Sequence, residues 1–175
     1  RVQRITPRPN DAEEACDVTK AVDVARLFGI IRAWCDALDA LVLNASGGLE
    51  RDLVAADPNY PMRINHDAQL ALIDVALPIM RPGGVIVFVT SHWAHLHGRA
   101  EQLPEYEPVA RSKRAGETAI RDRQGELLAR GIRLAVVTGD LVEGTITPRL
   151  LERASRGMTK HRQLTAGGLP TTHDM

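Results

Sequence analysis

The chain has 175 residues, 44% of them apolar and 25% charged, the balance of a globular domain with material for its own core. Its 22 basic residues offset 22 acidic ones, so no overall field draws it to nucleic acid or to an anionic membrane. Cys16 and Cys35 follow neither metal nor disulfide spacing, which makes a reducing cytoplasm the simplest setting; no signal peptide and no apolar run of membrane-spanning length is legible.

Residues 1–7 alternate weakly, like the tail of a strand, and after a polar turn a short strand is expected over 14–19. Over 21–38, Val22, Val24, Ala25, Leu27, Phe28, Ile31 and Trp34 recur at spacings of three and four, which predicts a helix. The branched apolar run LDALVLN over 38–44 closes on Ser46-Gly47-Gly48 and predicts a strand buried on both faces. Residues 50–60 are mixed, with one short helical piece. Pro61 opens a helix to about Met80 whose inner stripe is Asn65, Ala68, Leu72, Ala76 and Ile79. The turn Pro82-Gly83-Gly84 precedes the strongest strand, VIVFVT over 85–90, and residues 91–103 read as a loop. One long helix is expected from Pro104 to Gly131, then the strand IRLAVV over 132–137. A short helix follows over 148–154, and beyond Gly157 no periodicity is readable.

Strands alternating with helices of this length mean βαβ units around a mainly parallel sheet, with the ligand site beyond the carboxyl ends of the strands. Those ends are polar or small: Asp17-Val18, Asn44-Ala45-Ser46, Thr90-Ser91 and Thr138-Gly139-Asp140. Two helical stripes carry polar intruders. In the helix over 104–131 the stripe is Val109, Lys113, Gly116, Ile120 and Leu127. A buried ammonium without a partner is expensive, so Lys113 either snorkels from the stripe's edge or serves the site. Asn65 is likewise either a stripe-edge side chain in water or part of the site. Gly116 in mid-helix costs about 1 kcal/mol against alanine and implies a close neighbour, from the chain's own sheet or from a second subunit.

From about Cys16 to Thr145 these residues resemble the short-chain dehydrogenase/reductase family, Rossmann-type oxidoreductases that use a nicotinamide cofactor. Asp17-Val18 resembles the acidic pair that touches the adenine ring, and Asn44-Ala45-Ser46-Gly47 resembles the family's Asn-Asn-Ala-Gly. Asn65 falls on the asparagine of its catalytic tetrad, Ser91 on its serine, and Ser112-Lys113-Arg114-Ala115 on its Ser-Lys-x-Ala. Thr138-Gly139, with Leu141 beyond, stands where the family has a Pro-Gly beside the nicotinamide. The resemblance implies an α/β fold of Rossmann-like, three-layer architecture, in one domain over 1–175. Residues 91–103 would be its active-site loop and 139–175 its substrate side. It implies Ser91, Lys113 and Asn65 as catalytic residues. It implies Asp17, Val18, Asn44, Ala45, Ser46, Lys113, Thr138, Gly139 and Leu141 as cofactor-binding residues. The cofactor would be NADP or NAD, with a slight lean to NADP, and the substrate a small carbonyl or alcohol. A homodimer or homotetramer would form through the two long helices, as a four-helix bundle.

In that family a tyrosine passes a proton to the carbonyl oxygen as hydride arrives. The lysine lowers the tyrosine's pKa and binds the ribose, the serine holds the oxygen, and the asparagine organises a water relay. Here the tyrosine position, four residues before the lysine, is Val109. Tyr106, offset by about 60° and roughly 4.5 Å along a helix, is the nearest substitute donor, unless it lies exposed on the first turn. His92 is the other candidate. No Thr-Gly-x-x-x-Gly-x-Gly occurs to seat a pyrophosphate. The family's first and last strands are therefore expected outside this chain, as in the middle of a longer domain. The residue that selects NAD or NADP would lie near Arg1 to Arg4.

His92, His95 and His97 recur closely enough to weigh a metal cluster. No carboxylate or cysteine follows until Glu101, so the mouth of a substrate pocket is preferred and no metal is expected. Trp93 and Leu96 would shape that pocket. Arg111, Arg114, Arg121 and Arg123 with Glu117 and Glu126 read as a solvated mixed-charge face. The leading function is an NAD(P)-dependent ketoreductase or dehydrogenase with an atypical proton donor. A nucleotide-binding sensor on the same fold is the alternative. An S-adenosylmethionine methyltransferase, signalled only by LPIMRPGG before a strand, ranks last.

Overall fold

The computed structural model describes residues 2–5, 14–100, 102–171 and 173–174. A parallel sheet of β3 (Leu38–Leu43), β4 (Met80–Ser91) and β5 (Arg133–Gly139) runs in the order β3-β4-β5. Apart from it, β1 (Val2–Ile5) and β2 (Glu14–Asp17) pair antiparallel. The predicted turn Pro82-Gly83-Gly84 lies inside β4, whose register against β3 slips between Leu38 and Ala40.

Leu43 lies opposite Phe88 and Phe88 opposite Val136, so the two-residue period puts them on one face with Ile86. That face is the core: Leu43, Ile86 and Phe88 pack with residues of α1 (Ala21–Trp34) and α4 (Ala68–Ala76). Each such side chain contributes about 1.5–3 kcal/mol by leaving water. The other face holds Val42 and Val137, which are 59% and 42% exposed. The expectation that β3 is buried on both faces is thus corrected. An apolar run of this length does not say how many faces are covered.

After the short helix α2 (Arg51–Ala56), the predicted helix from Pro61 is a composite. It runs through α3 (Tyr60–Met62), a π-helical turn (Arg63–Asp67), α4 and a 3-10 turn (Leu77–Ile79). The long helix predicted over 104–131 is two, α6 (Glu107–Asp122) and α7 (Gln124–Ala129). They break at Arg123, whose side chain ties to Asp74 at 2.6 Å and Glu126 at 3.0 Å. Pro108 opens α6 in its first turn, and Glu117–Arg121 stabilises it at four-residue spacing. The neighbour that Gly116 implies belongs to the chain's own π turn. A Cβ there would stand 2.3 Å from the carbonyl oxygen of Asn65, so only glycine lets α6 approach so closely.

A second apolar cluster holds Trp93, Ala94, Tyr106, Val109, Ala110, Leu141, Leu151 and Met158. It joins the short helix α5 (His92–His95) and α6 to α8 (Ile146–Ala154) and α9 (Met158–Ala166). Helix α9 is a correction to the sequence reading. Its stretch MTKHRQLTA buries only Met158 while Leu164 is exposed, so no stripe betrays it. Among the described residues no helix is long and apolar enough to cross a membrane.

Candidate active site

Strand β4 delivers Ser91 to the carboxyl edge of the sheet, where its Oγ accepts from the amide of Ala94 at 3.2 Å and so caps α5. The phenol of Tyr106 donates to the same Oγ at 3.1 Å. Ser91 thereby keeps its own proton for an acceptor in the cleft. Tyr106 is 5% exposed, which removes the reading of an exposed first-turn residue. Burial pushes its phenol above the ordinary value, against the pull of the Ser91 hydrogen bond.

Tyr106 and Lys113 are seven residues apart at the start of one helix, close to two turns, so they share a stripe. Lys113 is buried. Its ammonium donates to the carbonyl of Val89 at 3.3 Å, and among the described residues no carboxylate pairs with it. Burial pushes that ammonium down to about 8. Val109, at the family's tyrosine position, is core of the second apolar cluster.

Ser91, Tyr106, Lys113, Asn44, Ser46, Gly139 and Leu141 all line one cavity of about 270 Å³ at the ends of β3, β4 and β5. Thr90 lines it too, and its buried hydroxyl has no hydrogen-bond partner among the described residues. Other expected residues stand elsewhere. Asn65 is buried beneath the cleft, where its amide nitrogen donates to the carbonyl of Gly47 at 2.9 Å and to Ser112 Oγ at 3.0 Å. It fastens the turn after β3 to α6. Ala45 is in the main core and Thr138 is exposed. Asp17 accepts from Thr19 at the start of α1, and Val18 lines a separate cavity between α1 and α4. Arg1 lies outside the described residues, and of Arg4 only the backbone is described, so the NAD-or-NADP position is not defined.

Three features of the site are not legible in the sequence. Asp140, at the end of β5, accepts from Arg162 of α9 at 2.9 Å. Burial raises its pKa, but Arg162 and the Leu141 amide outweigh that and hold the carboxyl below the usual range. The three histidines do not converge. His92 is placed against the Gly139 carbonyl and Arg162, His95 against Glu117, and His97 against Glu107. Finally, Glu117 is no solvated residue of a charged face. It is fully buried, and its carboxylate accepts from His95 at 2.9 Å and Arg121 at 2.8 Å, with Arg114 at 3.6 Å.

A sequence model of one protein family, described as enoyl-(acyl carrier protein) reductase, matches residues 1–170. The chain belongs to the short-chain dehydrogenase/reductase family. Among solved structures, this member is similar to the enoyl-[acyl-carrier-protein] reductase (NADH) of Aquifex aeolicus, at 21% identity and a TM-score of 0.61, over 91% of this chain and 63% of that one. It is similar to a short-chain dehydrogenase/reductase of Burkholderia xenovorans, at 26% identity and a TM-score of 0.65, over 85% and 58%. It is similar also to the enoyl-(acyl-carrier-protein) reductase of Anaplasma phagocytophilum in complex with NAD, at 21% and 0.61, over 78% and 53%. A search of curated proteins returned no match. This family member spans less than two thirds of the length of each of these three structures.

Proposed function

We propose that this short-chain dehydrogenase/reductase chain carries the catalytic residues of a nicotinamide-dependent reductase acting on an enoyl thioester, with Tyr106 as proton donor. The hydrogen bond from Tyr106 to Ser91, in the same cavity as a buried lysine, is the observation that carries the proposal. The family description and two relatives' names support the enoyl substrate over the carbonyl or alcohol first expected.

The cleft fits half of a dinucleotide. Lys113 has donor capacity left over, the Thr90 hydroxyl lacks a partner among the described residues, and Asn44, Ser46, Gly139 and Leu141 complete a mixed wall. These residues would hold the nicotinamide and its ribose, with Lys113 donating to the ribose hydroxyls. When bound, the reduced nicotinamide supplies hydride to the carbon β to the thioester carbonyl. Ser91 donates to the thioester oxygen, where negative charge develops as the double bond is reduced, while Tyr106 donates to Ser91 Oγ behind it. Ser91 gives its proton to the resulting enolate as the Tyr106 phenol, kept protonated by burial, gives its own to Ser91, and Lys113 offsets the charge left on the phenolate.

Oxidation of NADH and NADPH with an enoyl thioester tests this directly. Tyr106→Phe should lower kcat by about a hundredfold or more while leaving nucleotide affinity unchanged. An unaltered rate would remove Tyr106 as donor. Nucleotide binding without turnover of any enoyl or carbonyl compound would select the sensor instead.

A further inference from the structure

Resting on the enoyl reading, we infer that Trp93 closes the far end of the substrate pocket and sets the longest acyl chain it accepts. Beside the 270 Å³ cleft lies a second chamber of about 370 Å³. Trp93 lines both cavities, and no other described residue does. The indole is therefore the partition between them. It follows Ser91 by two residues, is 8% exposed, and has its ring 5.3 Å from that of Tyr106. The guanidinium of Arg162 lies over the same indole at 5.5 Å. The wall is thus held from the donor side by α6 and from the far side by α9.

The chamber behind it suits hydrocarbon. Trp93, Leu103, Pro104 and Met158 supply apolar surface for the chain, with Gln102, His161 and Thr165 as the polar remainder of the wall. Arg162, its nearest cation to the partition, is engaged with Asp140 through Nε at 2.9 Å and so does not recruit an anionic ligand. A chain that outgrows the part of the cleft left beside the nicotinamide must displace the indole, at the expense of its contacts with Tyr106 and Arg162. Cutting the side chain back joins the two spaces.

The test is a ratio of kcat/KM for dodecenoyl against crotonyl N-acetylcysteamine thioesters, which a general loss of packing does not raise. Trp93→Ala should raise that ratio by about tenfold or more. Should it fail to fold, Trp93→Leu, which keeps apolar contact but shortens the wall, reads the same quantity. Adding Thr165→Trp, which fills the chamber from the exposed side of α9, should reverse the gain. A folded variant whose ratio stays within about twofold of the parent overturns the inference. If the parent reduces no thioester, the enoyl reading itself has failed. The partition is then judged by equilibrium affinity for saturated dodecanoyl against butyryl thioesters in the same variants, with the same ratio expected and an unmoved ratio overturning it.

Discussion

Lys113 and Glu117 stand one turn apart on α6, both buried and both charged, and their surroundings are opposite. Glu117 has His95, Arg121 and Arg114 around its carboxylate. Lys113 has one carbonyl at 3.3 Å. A buried charge that is fully partnered fixes structure, here the seat of α5 on α6. One left short of partners raises the energy of the empty protein and is relieved when a ligand arrives. The same helix therefore supplies a structural anchor and, one turn nearer the sheet's carboxyl edge, a buried charge with donor capacity to spare.

The sharpest way to break this contrast is Glu117→Ala. It removes a fully buried side chain and the acceptor shared by Arg114, Arg121 and His95, and should cost about 4 kcal/mol, read by urea denaturation, with α5 loosened beside the cleft. A loss under about 1 kcal/mol would make Glu117 an ordinary surface partner.

Lys113→Met should behave with the opposite sign. The folded ammonium is held at about 8 against 10.5, so between those values the unfolded chain binds the extra proton. Below about pH 8 the folded protein bears the full cost of the buried charge, and that cost disappears as pH rises to about 10.5. The variant should be the more stable at pH 7, and its advantage, on the order of 3 kcal/mol, should vanish by high pH. Nucleotide affinity of the parent should weaken as pH rises through about 8, because the ammonium loses its proton and its charge. A pH-independent difference between the two proteins would mean that Lys113 is solvated. The smallest effect is expected from Arg121→Ala, about 1 kcal/mol, because this partner of Glu117 is half exposed and two others remain.

Much of the cleft is legible in the sequence because it lies at strand ends, where a polar residue interrupts an apolar run. Ser91, Asn44 and Ser46 are of this kind and line one cavity, which Gly139 and Leu141, expected there from the family resemblance, line as well. Lys113 is legible for a related reason, as a charge out of place on an apolar stripe. Glu117 is not. At four-residue spacing from Arg121 it has the pattern of a surface ion pair, and only the docking of α5 shows that the pair is buried. Asn65 illustrates a finer limit. Its stripe leaves it between water and the site, and its burial and its grip on Gly47 and Ser112 depend on a π turn that no periodicity announces.

Local pattern, read alone, determined most of the strands and helices, the apolar stripe of the longer helices, and which polar residues reach the sheet's edge. Those are properties of spacing along the chain. Tertiary structure decided that Tyr106 meets Ser91, that Asp140 holds Arg162 and that Trp93 divides two cavities. Each of these joins residues brought together by packing between elements, and the free energy that selects such a pairing depends on burial and partners that exist only once the chain has folded.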